Sequence, residues 1–288
     1  MTAAQRAAQC CTIHPNKEFS MLTLILALAT GLAVGFGSFY GLGFSRIWAS
    51  VTGMLALLAV QVVITLILRR VTLRINAQIQ EIMLETQKKL QQKQAQFMRK
   101  PASQKVMMAQ LEKEQTEGIR KALETCDLFN PVCKWNFFLK KQIATMRMMF
   151  LYQLKKYDEV DRLLPQCLFM DSQSISIKMA RMYKIGAEAS EIDRFFRKKA
   201  RRLRNENAVL PYSLYAWILL KQGRNDDAFK VMTDAKAKTS DETVLRNWEF
   251  LANGRIKQFS NSGLAEAWYA LALEEPKMPK VQQVYRRY

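Results

Sequence analysis

Glycine (11) and proline (7) are scarce among the 288 residues, which excludes collagen-like, low-complexity and loop-rich all-β chains. Histidine is scarcer still. The single His14 excludes, within one chain, any catalysis or metal binding that needs two imidazoles. Five cysteines, at 10, 11, 126, 133 and 167, form no CxxC pair and no regular framework, so neither a disulfide scaffold nor a zinc site is implied. Acidic residues are short as well. Only 25 stand against 44 lysines and arginines, and the net charge of +19 leans toward anionic partners: lipid headgroups, nucleic acid or acidic protein. A phosphate-binding glycine loop, a GxSxG elbow, HExxH and the kinase signatures are all missing. The acidic cluster Asp158, Glu159 and Asp161 sits at a helix start, where the helix dipole accounts for it. No catalytic residue, metal or cofactor is assigned, and the chain is not read as an enzyme.

What the sequence does have is unevenly placed. Phe19 to Phe44 carries no charge and begins FSMLTLILALATGLAVGFG; Arg46 interrupts, and Ile47 to Leu68 is again uncharged. Each run exceeds the roughly 20 residues that cross a hydrocarbon core. Backbone groups in lipid must bond within their own segment, so both runs are expected as helices. A signal peptide competes for the first run but fits poorly with a polar lead of 18 residues, Met1 to Glu18, before it. The short link around Gly41 to Arg46 forces an antiparallel hairpin. Gly31 and Gly35, then Gly37 and Gly41, are spaced by four and put small residues on a shared face, as in close membrane-helix packing. Arg69, Arg70 and Arg74 follow the second run, against lone Arg46 in the loop, so the positive-inside rule places both termini in the cytoplasm. Cys10 and Cys11 have no lipobox before them and read as ordinary thiols.

Val71 to Arg99 has no glycine or proline, and Ile75, Ile79, Ile82, Met83, Thr86 and Leu90 form one apolar stripe. A helical stalk is expected, with a homodimer through helices 19–99 left open beside a solvated polar face. Pro101 to Ser103 breaks the pattern; a second helix follows from Gln104 to Thr125, and Cys126 to Pro131 reads as a turn.

The C-terminal half is periodic. In Pro211 to Ser240, Tyr212, Tyr215, Ala216 and Leu219 mark one helix face and Gly223 stops that helix. Asn225 is placed to cap the next, with Asp226 and Asp227 at its positive end, and Ala228, Val231, Met232 and Ala235 form its buried face. This stretch resembles a tetratricopeptide repeat (TPR), a unit of 34 residues made of two antiparallel helices. From Val209, residues Ala216, Leu219, Gly223, Ala228, Met232 and Ala235 match the family pattern, and Ser240 replaces its closing proline. Two steps of 34 back, a unit from Lys141 matches through Met148, Leu151, Tyr157, Val160, Leu164 and Cys167, with Lys155 where glycine is usual. The intervening unit, Ile175 to Ala208, is degenerate: Met182 and Ile185 fit, but Arg194, Lys198 and Arg201 fall where small apolar residues belong. Thr243 to Pro276 gives a last, imperfect unit through Phe250 and Gly254.

The resemblance implies a superhelix whose groove is lined by the first helix of each pair. Carried over by position, the groove residues are Gln142, Thr145, Met149, Tyr152, Tyr183, Trp217, Lys221, Asn247 and Arg255, a set suited to an extended peptide or a helix of a partner protein. Packing competes with groove lining for Tyr183 and Trp217. Lys221, Asn247 and Arg255 only loosely match the family's carboxylate clamp.

Arg194 to Arg204 reads RFFRKKARRLR, and on a helix Arg194, Arg197, Lys198, Arg201 and Arg202 share one face. Three readings compete for this stripe: a solvated face, attraction to anionic lipid headgroups, and phosphate binding to nucleic acid, which ranks last for want of a recognised module.

The expected chain is therefore all-α: a cytoplasmic tail (1–18), a transmembrane helical hairpin (19–68), a helical connector (69–125) and a TPR-like α-solenoid (126–288). The expected function is a membrane-anchored scaffold or adaptor, laid out like bacterial inner-membrane proteins with such repeats. A membrane-bound enzyme or subunit, or a basic nucleic-acid or lipid tether, is the alternative.

Overall fold

A computed structural model of the chain describes residues 22–41, 43, 45–99, 104–133 and 137–275. The tail 1–18, the start of the first apolar run, the break at Pro101 to Ser103 and the closing Pro276 lie outside these residues. Among the described residues every regular element is helical, in agreement with the all-α expectation. The chain divides into two compact units, 1–154 and 155–288. The boundary thus falls within the expected repeat domain, and residues 126–154 belong with the hydrophobic N-terminal half.

The first unit opens with α1 (Leu22–Tyr40) and α2 (Arg46–Arg99), which pack side by side. Their contact is built from small residues: Ala27, Gly31 and Ser38 face Ala49 and Gly53, all buried. A Cβ on Gly53 would lie 2.7 Å from the Gly31 carbonyl oxygen and 3.2 Å from the Gly35 Cα, and one on Gly31 would lie 2.9 Å from the Leu57 Cβ. Of the two expected glycine pairs, Gly31 and Gly35 therefore mediate close approach. Gly37 and Gly41 do not: a Cβ on Gly37 meets nothing, and one on Gly41 meets only the carbonyl of its own helix. The sequence-based reading missed Gly53, because it has no glycine four residues away and its partners stand on the other helix. Ser38 and Thr52 hydroxyls share a 2.9 Å hydrogen bond across the pair.

The large apolar side chains point the other way. Leu32 and Phe36 are each 61% exposed and Ile47 77%. The helix over Arg46–Phe97 contains a stretch long and apolar enough to cross a membrane, by length and composition, whereas the described apolar part of the first helix, Ile25–Tyr40, is shorter than that.

Beyond the apolar run, α2 continues unbroken and α3 (Gln104–Thr125) packs against it. Ile75 and Ile79 are buried with Ile119, Ala122, Cys126 and Phe129, and Ile82 and Met83 pack onto the same cluster. Gly118 seats directly on Thr86, whose hydroxyl donates to the Ile82 carbonyl at 2.7 Å. Lys93 and Glu114 form an ion pair farther along. The expected stalk stripe is thus spent inside the chain, against α3 and α5 (Phe137–Gln153), rather than left along a free-standing helix. The expected turn at Cys126 to Pro131 is a 3-10 turn (Cys126–Phe129) running into a short helix, α4 (Asn130–Cys133).

The second unit is a run of helices: α6 (Tyr157–Leu163), α7 (Ser172–Lys184), α8 (Ala189–Lys199), α9 (Glu206–Lys221), α10 (Asn225–Lys236) and α11 (Glu242–Ala252). Helix α7 packs on α8 and α9, α9 on α10, and α10 on α11. Asp171 and Asp241 cap α7 and α11 by accepting from the Ser174 and Val244 amides at 2.8 and 3.1 Å. Asn225, expected as a cap, is the first helical residue; Arg224 holds the cap position and pairs with Asp227.

Every residue from Ala208 to Leu219 is buried, so α9 is the core of this unit and is covered on all sides. Gly223 terminates it at φ +76°. The same left-handed residue follows α5, α7 and α11, at Lys155, Gly186 and Gly254. Lys155 adopts at φ +58° the conformation for which the repeat pattern prefers glycine.

The degenerate unit has a simple geometric cause. The buried residues of successive second helices run Val160, Leu164, Cys167; then Ile192, Phe196, Ala200; then Ala228, Met232, Ala235. Val160, Ile192 and Ala228 step by 32 and then 36, so two steps still span twice 34 while the middle helix is displaced by two residues. That displacement turns Arg194 and Lys198 outward and buries Ile192 and Phe196 instead.

Candidate functional site

The last expected unit departs most from its pattern. Helix α11 forms, but among the described residues no second helix of comparable length follows it. Residues 256–275 instead make two 3-10 turns, Ile256–Gln258 and Ser262–Leu264, and the four-residue α12 (Glu266–Tyr269). This segment lies against α9 and α11 through side chains with specific partners. Asn247 of α11, fully buried, donates its amide to the Ser260 carbonyl and the Asn261 side chain, both at 3.0 Å, and accepts the Ser260 amide at 3.1 Å. Asn261, also fully buried, passes the contact on by donating to the Ser213 carbonyl of α9 at 3.0 Å. Gly263 sits so close to Thr243 that an added Cβ would fall 2.4 Å from its hydroxyl.

Farther along, Trp268 is completely buried with its ring centroid 5.6 Å from that of Trp217, edge to face. Tyr183 of α7 completes the cluster, edge-on to Trp217 at 5.3 Å. Both indoles then converge on one carboxylate: Trp217 Nε1 donates to Glu274 Oε1 at 2.8 Å and Trp268 Nε1 to Glu274 Oε2 at 2.9 Å. The Lys221 ammonium lies 5.2 Å from the Trp217 ring centroid, a cation–π contact at the rim.

The nine expected groove residues thus separate. Tyr183, Trp217 and Lys221 come together at one place. Trp217 is buried, and so is Asn247, because the chain's own residues 256–275 cover them; neither faces an open groove. Arg255 is exposed just after Gly254, at the head of the covering segment, and is no part of this cluster. Lys221 and Asn247 therefore have separate contacts, Arg255 stands apart from both, and the three form no joint clamp. On α5, in the other unit, Gln142 is exposed, Met149 half-buried, and Thr145 and Tyr152 buried. Trp268, Glu274 and Asn261 were missed. The signal that could have found them is the run Trp268, Leu271, Leu273, apolar residues too closely grouped for a tail without contacts.

The cationic stretch also ends sooner than expected. Helix α8 stops at Lys199, so Arg194, Arg197 and Lys198 stand exposed on it while Arg201 and Arg202 follow in an exposed turn. The reason is Ala200, fully buried, and the Arg201 carbonyl, which accepts a hydrogen bond from Lys238. An open depression of about 550 Å³ lies beside this face, lined by Ser190, Asp193, Arg194, Arg197 and Lys198.

Beneath it, α8 is tied to α9 and α10. Phe196 stacks on Tyr215 at 4.0 Å and meets Tyr212 edge-on at 4.9 Å. The Tyr215 hydroxyl donates to Asp193 at 2.6 Å, and Arg224 donates twice to the same carboxylate at 3.0 and 3.1 Å. Burial would raise the Asp193 carboxyl, but the hydrogen bonds from Arg224 and Tyr215 outweigh it and hold it below its usual value. Burial, reinforced by Asp193 and Asp234, pushes the Tyr215 and Tyr212 phenols up. These perturbed groups are joined in structural pairs between helices. Among the described residues no group of three or more histidine, cysteine or acidic side chains is placed to hold a metal. Comparison of the chain with protein-family models, curated proteins and solved structures returns no match.

Proposed function

We propose that this chain is a membrane-anchored, TPR-like scaffold that docks protein partners on the α7–α9 face of its second unit. The observation that carries this reading is the seat of residues 256–275. An irregular stretch of chain is taken up there through indole stacking, a shared carboxylate and side-chain amides, the means by which a helical face binds an extended peptide. The left-handed residues Gly186 and Gly223, each closing the first helix of a pair, with Lys155 and Gly254 at two further helix ends, support a repeat superhelix.

The anchor is the α1–α2 hairpin, with both runs crossing the bilayer and both termini in the cytoplasm. Its small residues meet each other and its large apolar ones face outward, as lipid-exposed helices do. Tyr40 (77% exposed) and Trp48 (65%) stand near the connecting loop, where aromatic side chains favour a membrane interface. Thr30 and Thr65 hydroxyls donate to carbonyls one turn back, at 2.9 and 2.7 Å, so they need no water. Tethering confines the docking face to a thin layer and raises its effective concentration toward membrane-borne partners.

The exposed arginines and lysine of α8 support a second contact, with anionic headgroups of the same leaflet, worth about 1 kcal/mol per charge near the surface. A photo-crosslinking residue in place of Lys221, at the rim of the face, tests the docking reading in intact membranes. Discrete protein adducts are expected there and none from the same probe at exposed Lys230 on α10; adducts of equal yield at the two positions sink it.

A further inference from the structure

We propose that residues 256–275 are an autoinhibitory strap, and that the site they cover recognises an aromatic ring followed by a carboxylate on a partner peptide. The inference rests on the docking reading above and says what the site takes and what keeps it closed. The occupant displays the chemistry. Trp268 fills the space against Trp217, and Glu274, six residues on, receives one hydrogen bond from each indole, so ring and carboxylate are read together. Lys221 at the rim adds positive charge on the side from which an acidic peptide end would arrive.

The strap is held differently from the helices it covers. Its regular structure is two 3-10 turns and a single helical turn, against sixteen helical residues in α9. Two of its alanines, Ala265 at φ +46° and Ala272 at φ +49°, sit in the left-handed region that side chains with a Cβ enter only under constraint. Both flank Trp268. The strap therefore gains its tertiary contacts against local backbone preference, while α9 has preference and contacts in agreement. Glu274 is exposed, so its carboxylate is open to competition from water and from a peptide carboxylate, whereas the Asn247–Asn261 contact is buried.

The test uses the full chain in detergent micelles and a fluorescent peptide with the sequence of residues 260–275 added in trans. The wild-type chain should bind it weakly, because the site is filled. Glu274→Gln, which leaves both tryptophans in place, should bind it at least tenfold more tightly, and Trp268→Ala more tightly again. Adding Trp217→Ala should abolish that gain. Amide exchange should speed up in 256–275 and stay slow in α9, which also establishes that each variant is folded. Unchanged peptide affinity in folded Glu274→Gln and Trp268→Ala would overturn the strap, as would a concentration-dependent dimer exchanging this segment between copies. The Lys221 crosslinker separates the two ideas. Adducts of equal yield in wild type and Glu274→Gln leave docking intact and remove the strap. Tight peptide binding by Glu274→Gln with no adduct in membranes removes docking and leaves a strap over a face that no partner visits.

Discussion

The hairpin and helix α9 are built from similar apolar residues with opposite orientation. In the charge-free runs of the hairpin, up to Leu68, the buried residues are Ala27, Gly31, Ser38, Ala49 and Gly53, while most Leu and Ile side chains, with Phe36 and Trp48, stand outside. In α9 Leu214, Ile218 and Leu219 are inside with Tyr212, and polar contact is left to Tyr and Trp tips that find partners. Water makes the second arrangement favourable and the first costly, since each large apolar side chain left exposed forgoes about 1.5–3 kcal/mol of burial. A hairpin that leaves so many of them outside supports the membrane anchor proposed above, in which lipid rather than water meets those side chains.

The largest expected difference between the regions is in the cost of truncation. Leu219→Ala, at a fully buried position, should lower unfolding stability by about 2–5 kcal/mol, whereas Leu66→Ala, at 50% exposure, should change it by well under 1. Denaturation of the chain in micelles, followed by circular dichroism, decides this; comparable losses would make the hairpin an ordinary core. A charge sharpens the contrast. Leu55→Arg should weaken membrane insertion by about 2.5–3.5 kcal/mol and release protein into an alkaline wash, and Phe229→Arg on α10 should not.

Within the hairpin, Gly53→Leu should disrupt helix contact at a cost of about 1–3 kcal/mol, while Gly37→Leu should be tolerated because nothing lies within 4 Å of its Cβ. Cysteines replacing Ser38 and Thr52, whose hydroxyls touch, should crosslink in the Gly37 variant and fail to do so in the Gly53 variant.

How much of this was legible follows from where the information sits. The charge-free runs and the Ile75 and Ile79 stripe are local patterns, and the corresponding helices lie where the patterns put them. What covers a stripe is not local. Ile119 and Ala122 could supply the partner face to Ile75 only once α3 had folded back, and nothing near Ile75 encodes that. Fixed 34-residue steps put Val160 and Ala228 at matching positions and marked the middle unit as irregular, its second helix shifted or rotated, without giving the size of the shift. A compensating slip of two residues changes which side chains face inward without changing the total. The fate of Trp217 and Asn247 was hardest to read. Groove position and burial demand the same residue types there, and the choice between them rests on Trp268 and Asn261, far along the chain.

The ion-pair network of α8 shows the same dependence on distant partners and has a pH signature. Asp193 has a folded carboxyl below its ordinary value of 3.8, so its stabilisation is complete above that value and is lost as pH falls through the folded one. Asp193→Asn should cost about 1.5 kcal/mol near neutral pH through the weakened bonds to Arg224 and Tyr215. The difference between variant and wild type should shrink below about pH 4. Thermal midpoints from pH 2.5 to 7 check it; a constant difference would mean that the pair is not charge-assisted.

The smallest expected effect concerns Lys155, and it bears on whether the two regions share one repeat. Lys155 belongs to the second unit by position yet terminates α5 of the first. Its φ of +58° matches Gly186, Gly223 and Gly254 at the equivalent helix ends. A side chain in this conformation costs about 1–2 kcal/mol relative to the right-handed region, and glycine returns part of the gain through its greater freedom when unfolded, about 0.5–1. Lys155→Gly should therefore stabilise the chain by roughly 0.5–1 kcal/mol, an outcome rarely expected of a glycine placed at random. Denaturation midpoints measure it, with Lys156→Gly, one residue on at φ −87°, as the control expected to lose stability. A gain at 155 and a loss at 156 would fix the left-handed turn as the joint at which the repeat begins. Equal losses would mean that α5 ends for reasons of its own, and that the likeness of the four turns is geometry without common cause.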